Sequence, residues 1–110
     1  MMRLVLSSAA AALLRALIAR SGEVRDQVLL IEWSSTDWQS LTFIGERHII
    51  ALKLCGPQAT AACARLTSGL ADAEFALLGH VLADIALIGE PELGLDGSRT
   101  VRMEALTVME

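Results

Sequence analysis

Hydrophobic residues along this chain follow two different periods, and the switches between them mark out its elements. Across residues 8–20, Ala10, Leu13, Leu14, Leu17 and Ile18 recur at helical spacing and form one apolar stripe. Ser7 and Ser8 stand at its head as N-cap residues, whose hydroxyl can accept from a free helix N–H. Gly22 follows as a stop, because glycine tolerates the positive φ of a helix end. A second stripe, Ala59, Ala62, Cys63, Leu66 and Leu70, predicts a helix over 57–70. Pro57 opens it at a position where a missing N–H costs nothing.

Elsewhere the period drops to two. Over 27–34, Leu29, Ile31 and Trp33 fall on one face and Val28, Leu30 and Glu32 on the other. Ser34, Ser35, Thr36 and Asp37 then read as a turn, since their side chains can bond nearby backbone N–H groups. Residues 38–54 are rich in β-branched, aromatic and aliphatic side chains, and the rest of the chain is arranged around them. Gly45 in their midst reads either as a tight turn between two strands or as a bulge in one. His48, Ile50, Leu52 and Leu54 share a face beyond it. The clearest long strand covers 75–88, with Leu77, Val81, Ala83, Ile85 and Leu87 as an apolar row. Leu78, His80, Leu82 and Asp84 belong to its mixed row. A loop rich in Gly, Pro and acidic residues over 89–98 precedes a last alternating strand over 99–110, which is expected to pair within the sheet.

These elements predict an α+β two-layer sandwich: a mostly antiparallel sheet of four to five strands with two helices on one face. If residues 2–6 form a strand, the order is β-α-β-β-α-β, the ferredoxin-like arrangement. If they do not, α-β-β-α-β-β gives a permuted relative. No linker or low-complexity segment divides residues 1–110, so one domain is expected.

Composition sharpens this picture. The chain is 54% hydrophobic and 20% charged, with only 4% aromatic residues and no tyrosine, so its core is built from Leu, Ile, Val and Ala. Disorder is excluded by that balance. A net charge of −4 with scattered basic residues argues against nucleic acid, whose binding rests on Lys/Arg neutralisation of phosphates. Residues 1–19 combine a basic residue with an apolar run, as a secretory signal does, but Arg15 interrupts the run. They are also too polar to span a bilayer. A cytoplasmic location with no membrane association is expected. Cys55 and Cys63 then read as two reduced thiols, one at a strand end and one on a helix face.

Two helices can cover only one face of such a sheet, yet both faces of the strands carry Leu, Ile and Val. A large uncovered apolar face marks an association site. The parity count places Leu30, Leu52 and Leu82 on it, and a homodimer through these residues is expected. His48 and His80 lie on mixed strand faces, and with Glu46, Arg47 and Asp84 they are the candidate ligand-binding residues. A hairpin tip would account for Glu46, Arg47 and His48 equally well. Trp33 and Trp38 read as packing across a hairpin, or as rings for a ligand to stack on. No metal spacing, phosphate-cradling loop or nucleophile motif occurs, so no catalytic residue, metal or cofactor is assigned. The function these features predict is a homodimeric binding or interaction module, its small ligand or protein partner unspecified. The alternative is a small dimeric enzyme using His48 or His80 with Asp84, Glu46 or Arg47 at the sheet or subunit interface.

Overall fold

A computed structural model describes residues 5–110. Helix α1 runs Ser8–Ser21, as its stripe predicts, and buries Ala9, Ala10, Leu13, Leu14 and Leu17. The Ser7 hydroxyl accepts from the Ala10 N–H at 3.1 Å, and Gly22 ends the helix at φ 74. Arg20 in the last turn donates to the carbonyls of Leu66 and Ser68 and so ties α1 to the second helix. That helix, α2, is Ala59–Thr67. It is shorter than its stripe, because Gly69 at φ 65 breaks it and passes Leu70 to a one-turn 3₁₀ helix.

The sheet comprises β1 (Val28–Gln39), β2 (Ile44–Leu54), β3 (His80–Leu87), β4 (Glu92–Leu93) and β5 (Arg99–Met109). All pairings are antiparallel. The order is β1-β2-β5-β3, with the two-residue β4 also on β5. The last strand in sequence therefore lies in the middle of the sheet. Val5 and Leu6 are not in a strand, and the remainder of the 2–6 segment lies outside the described residues. Among the described residues the order is α-β-β-α-β-β-β, which adds β4 to the pattern α-β-β-α-β-β.

Three expectations about the strands are corrected. Ser34 to Asp37 form no turn; they continue β1 to Gln39. The hairpin closes later, where the Ser40 N–H donates to the Phe43 carbonyl at 2.9 Å and the Ser40 hydroxyl accepts from the Phe43 N–H. The turn chemistry sought at four polar residues is supplied by one serine. Gly45 is neither turn nor bulge but an ordinary member of β2, paired with Trp38 and Val108. The long strand over 75–88 begins only at His80, because Gly79 at φ 77 belongs to a turn.

Bulges occur, but elsewhere. The register shifts between Leu30 and Glu32 in β1, and between Leu82 and Asp84 in β3. Each extra residue, Ile31 and Ala83, exchanges inward and outward rows beyond it. Trp33 thereby joins Leu30 on one face, and Ile85 joins Leu82. Both helices pack on that face. The core holds Val28, Trp33, Ile50, Leu52, Ile85 and Met103 against Leu13 and Leu17 of α1 and Leu66 of α2. Leu30 and Leu82 pack against this cluster and Leu52 is only 1% exposed. The three leucines expected at a dimer contact are thus core residues on the helix-covered face. A parity count that ignores the two bulges puts Leu30 in one row with Glu32 and Leu82 with Asp84, whereas Leu52 is misplaced by its row-mate His48, a polar residue that is buried.

Among the described residues, no helix lies on the opposite face. Its side chains alternate between Leu29, Ile49, Leu106 and Val108 and charged residues tied in pairs. Arg47 meets Glu104 at 2.6 Å, and Arg102 meets Glu92 at 3.2 Å and Glu32 at 3.9 Å. Arg102 reaches Glu32 across Ala51, their common register partner, whose small side chain leaves room for the crossing. Both cysteines are free thiols. Among the described residues, no helix is long and apolar enough to cross a membrane.

Candidate functional site

Polar side chains on the helix-covered face gather at one end of the sheet, where apolar packing stops. At this end β1, β2 and β5 bring Ser35, His48 and Ala105 into one row, and Asp37, Glu46 and Thr107 into the next. The N-terminus of α1 lies above them. Its Ser7 hydroxyl donates to Glu46 Oε1 at 2.7 Å while accepting from Ala10. A carboxylate beside a helix N-terminus is favourably placed against the helix dipole. His80 enters from β3, its Nε2 3.3 Å from the Ser8 hydroxyl.

A cleft of about 270 Å³ opens between these groups, lined chiefly by Ser8, Asp37, Ile44, Glu46, His80 and Thr107. Of the five residues marked in the sequence, the structure brings Glu46, His48 and His80 to this end. Arg47 and Asp84 lie on the opposite face, both exposed, one on each side of Leu106. Alternation along the strands makes that separation unavoidable, since Arg47 sits between Glu46 and His48.

His48 itself is fully buried behind the cleft. Its Nε2 lies 2.9 Å from Thr107 Oγ1, and its Nδ1 lies 2.9 Å from Ser35 Oγ. Trp33 Nε1 donates to both Nδ1 and Ser35 Oγ at 3.2 Å, with the indole edge-on to the imidazole. An indole N–H can only donate, so this pattern assigns the lone pair to Nδ1 and the proton to Nε2. Nε2–H then donates to Thr107. In this tautomer His48 offers Thr107 no lone pair and cannot take its proton, so the two do not form a nucleophile–base pair. The imidazole instead completes a polar layer in which every group has a partner.

Burial is the main cause that holds the His48 pKa below its ordinary 6.5; the Glu46 carboxylate opposes the shift and His80 adds to it. The sign of the consequence is fixed by linkage. Below 6.5 the unfolded chain takes up a proton that the folded chain resists, so stability is full above that pH and falls as pH drops toward the lower folded value. Denaturant titrations between pH 7.5 and 5 should therefore show a loss of stability with acid that is smaller in His48→Gln. Equal slopes in the two proteins would show that His48 does not carry the effect.

Asp37, Ser35 and Thr107 were not legible as site residues. Asp37 and Ser35 read as turn residues by composition, and Thr107 is 59 positions from His48 in sequence. Only the β2–β5 register joins them. Trp33 resolves as a packing residue with a polar role, and Trp38 lies on the opposite face. Among the described residues, no group of three or more His, Cys, Asp or Glu side chains is placed to hold a metal ion. No family model, curated protein or solved structure matches this chain.

Proposed function

We propose that the chain is a homodimeric interaction module that pairs through the helix-free face of its sheet. The observation that supports this is the segregation of both helices to one face, which leaves Leu29 exposed and Ile49, Leu106 and Val108 partly exposed among charges of both signs. Water-facing sheets alternate apolar-in and polar-out, and on this face four large aliphatic side chains interrupt the polar positions. Arg47, Arg102 and Lys53 stand beside Glu32, Glu104 and Glu92, so a second copy turned by a two-fold axis meets a near-neutral surface. Four strands about 4.8 Å apart and about ten residues long present roughly 600 Å² in plan per copy. Two copies together reach about 1,200 Å², the lower end of the range for specific interfaces. The module acts in the cytoplasm, where Cys55 and Cys63 stay reduced.

Sedimentation of the protein at micromolar concentration should give a dimer, and Leu106→Glu should give a monomer with an unchanged fold. A charge in place of Leu106 would have to be desolvated in the contact, whereas in the monomer it meets water. A monomeric wild-type protein, or a dimer that survives Leu106→Glu, would remove this face as the contact.

A further inference from the structure

The end of the sheet that holds the polar cleft also carries the most exposed apolar side chains of this part of the molecule. Leu41 and Leu78 are essentially fully exposed, and Phe43, Ile44 and Met109 are each more than half exposed. Ile44 and Met109 line the polar cleft, and Met109 is the register partner of His80. On the far side of His80 a second cleft, about 490 Å³, is bounded by Phe75, Leu77, Leu78 and Glu110. The two clefts share His80 and cross the sheet from β1 to β3. At about 4.8 Å per strand step, that groove is roughly 15–20 Å long.

The charge of the groove is one-sided. Asp37 and Glu46 are direct cross-strand partners on the same face, and like charges placed opposite each other in a sheet are destabilising. Glu110 adds a carboxylate at the other cleft. Among the described residues no lysine or arginine lines either cleft. The nearest arginine in sequence, Arg47, is on the opposite face and paired with Glu104. Ser7 satisfies one oxygen of Glu46 but brings no charge.

We infer that this groove docks a basic amphipathic segment of a partner protein, its apolar side chains on Ile44, Met109 and Leu78 and a Lys or Arg set between Asp37 and Glu46. A cation there relieves the repulsion of the facing carboxylates, and the exposed apolar side chains supply the buried area. A helical segment of about 10–13 residues spans the groove at 1.5 Å per residue. An anionic lipid surface offers apolar contact but the wrong charge. This groove is separate from the face proposed for dimerisation, and neither proposal depends on the other.

The test uses a labelled amphipathic helical peptide of leucine and lysine, and a matched peptide with glutamate replacing every lysine, read by fluorescence anisotropy. The leucine–lysine peptide should bind the full chain at least tenfold more tightly than its acidic counterpart. Ile44→Ser with Leu78→Ser, and separately Asp37→Asn with Glu46→Gln, should each weaken it tenfold or more. Asp37→Asn alone serves as the charge variant if the change at Glu46 upsets the α1 cap. Among the described residues, the Asp37 side chain makes no hydrogen bond. Equal binding of the two peptides, or wild-type affinity in both variants, would overturn the inference. So would co-sedimentation of the protein with phosphatidylglycerol vesicles in the absence of peptide binding.

Discussion

A chain ending at Ser98 should fail to fold. It would lose β5, which pairs with ten residues of β2 from Gly45 to Leu54 on one edge and with β3 and β4 on the other. On its inward side β5 contributes Val101, Met103, Ala105 and Thr107, all buried. Each large apolar side chain returned to water costs about 1.5–3 kcal/mol. Against a total stability of about 5–15 kcal/mol, the loss of these side chains and of both ladders leaves no folded state. The sequence alone supports a milder outcome, an exposed sheet edge and lower solubility, because alternation shows that 99–110 is a strand but not where in the sheet it lies. Circular dichroism with thermal melting is the measurement. A cooperative transition in the shortened chain would mean that β1 and β2 pair productively with something other than β5.

The second large effect is expected at Gly45. A Cβ there would overlap the carbonyl oxygen of Thr107 and press on the carbonyl carbon and the Val108 Cα. These are backbone atoms of the central strand and cannot rotate away as a side chain can. Gly45→Ala should cost about 3 kcal/mol or more, at the upper end of what overpacking does. For a domain of this size that is roughly a 10–20 °C fall in melting temperature. Gly97→Asn makes a suitable comparison: its φ is 86, but nothing lies within 4 Å of the added Cβ. Asparagine accepts the left-handed region better than most residues, so this change should cost far less. A Gly45→Ala protein that melts with the wild type would show that β2 and β5 can separate at this point without loss.

Gly45 also marks the boundary of what could be read in the sequence. Periodicity is a local property, and it placed α1 with both of its caps, the stripe of α2, and the alternation of β2 and β5. A glycine in a strand has three common reasons: a turn, a bulge, or a neighbour too close for a side chain. The first two can be weighed from local sequence, whereas the third depends on which strand lies alongside. Ile31 and Ala83 posed the same difficulty in another form. Neither is unusual for a strand, yet each shifts the register, so Leu30 shares a parity row with the outward Glu32 and Leu82 with the outward Asp84, and both rows read as surface. Leu52, in a strand without a bulge, is misplaced by its row-mate His48, a polar residue that is buried. The candidate site was half legible for a related reason. Glu46, His48 and His80 stood out as polar residues in apolar runs. Asp37 and Thr107 stood in polar or mixed surroundings, and only cross-strand pairing brings them to the cleft.

The central position of the last strand bears on how this protein is made. During synthesis the β1–β2 hairpin is complete once residue 54 has emerged, but the inner edge of β2 has no partner until residues 99–109 follow. At roughly 5–20 residues per second, that is a wait of several seconds. Throughout it, the apolar faces of α1 and α2 have only half a sheet to pack on, and an unpaired inner edge is open to other nascent chains. Folding must then bring distant segments together in one late step, which favours slow closure and a need for protection on the ribosome.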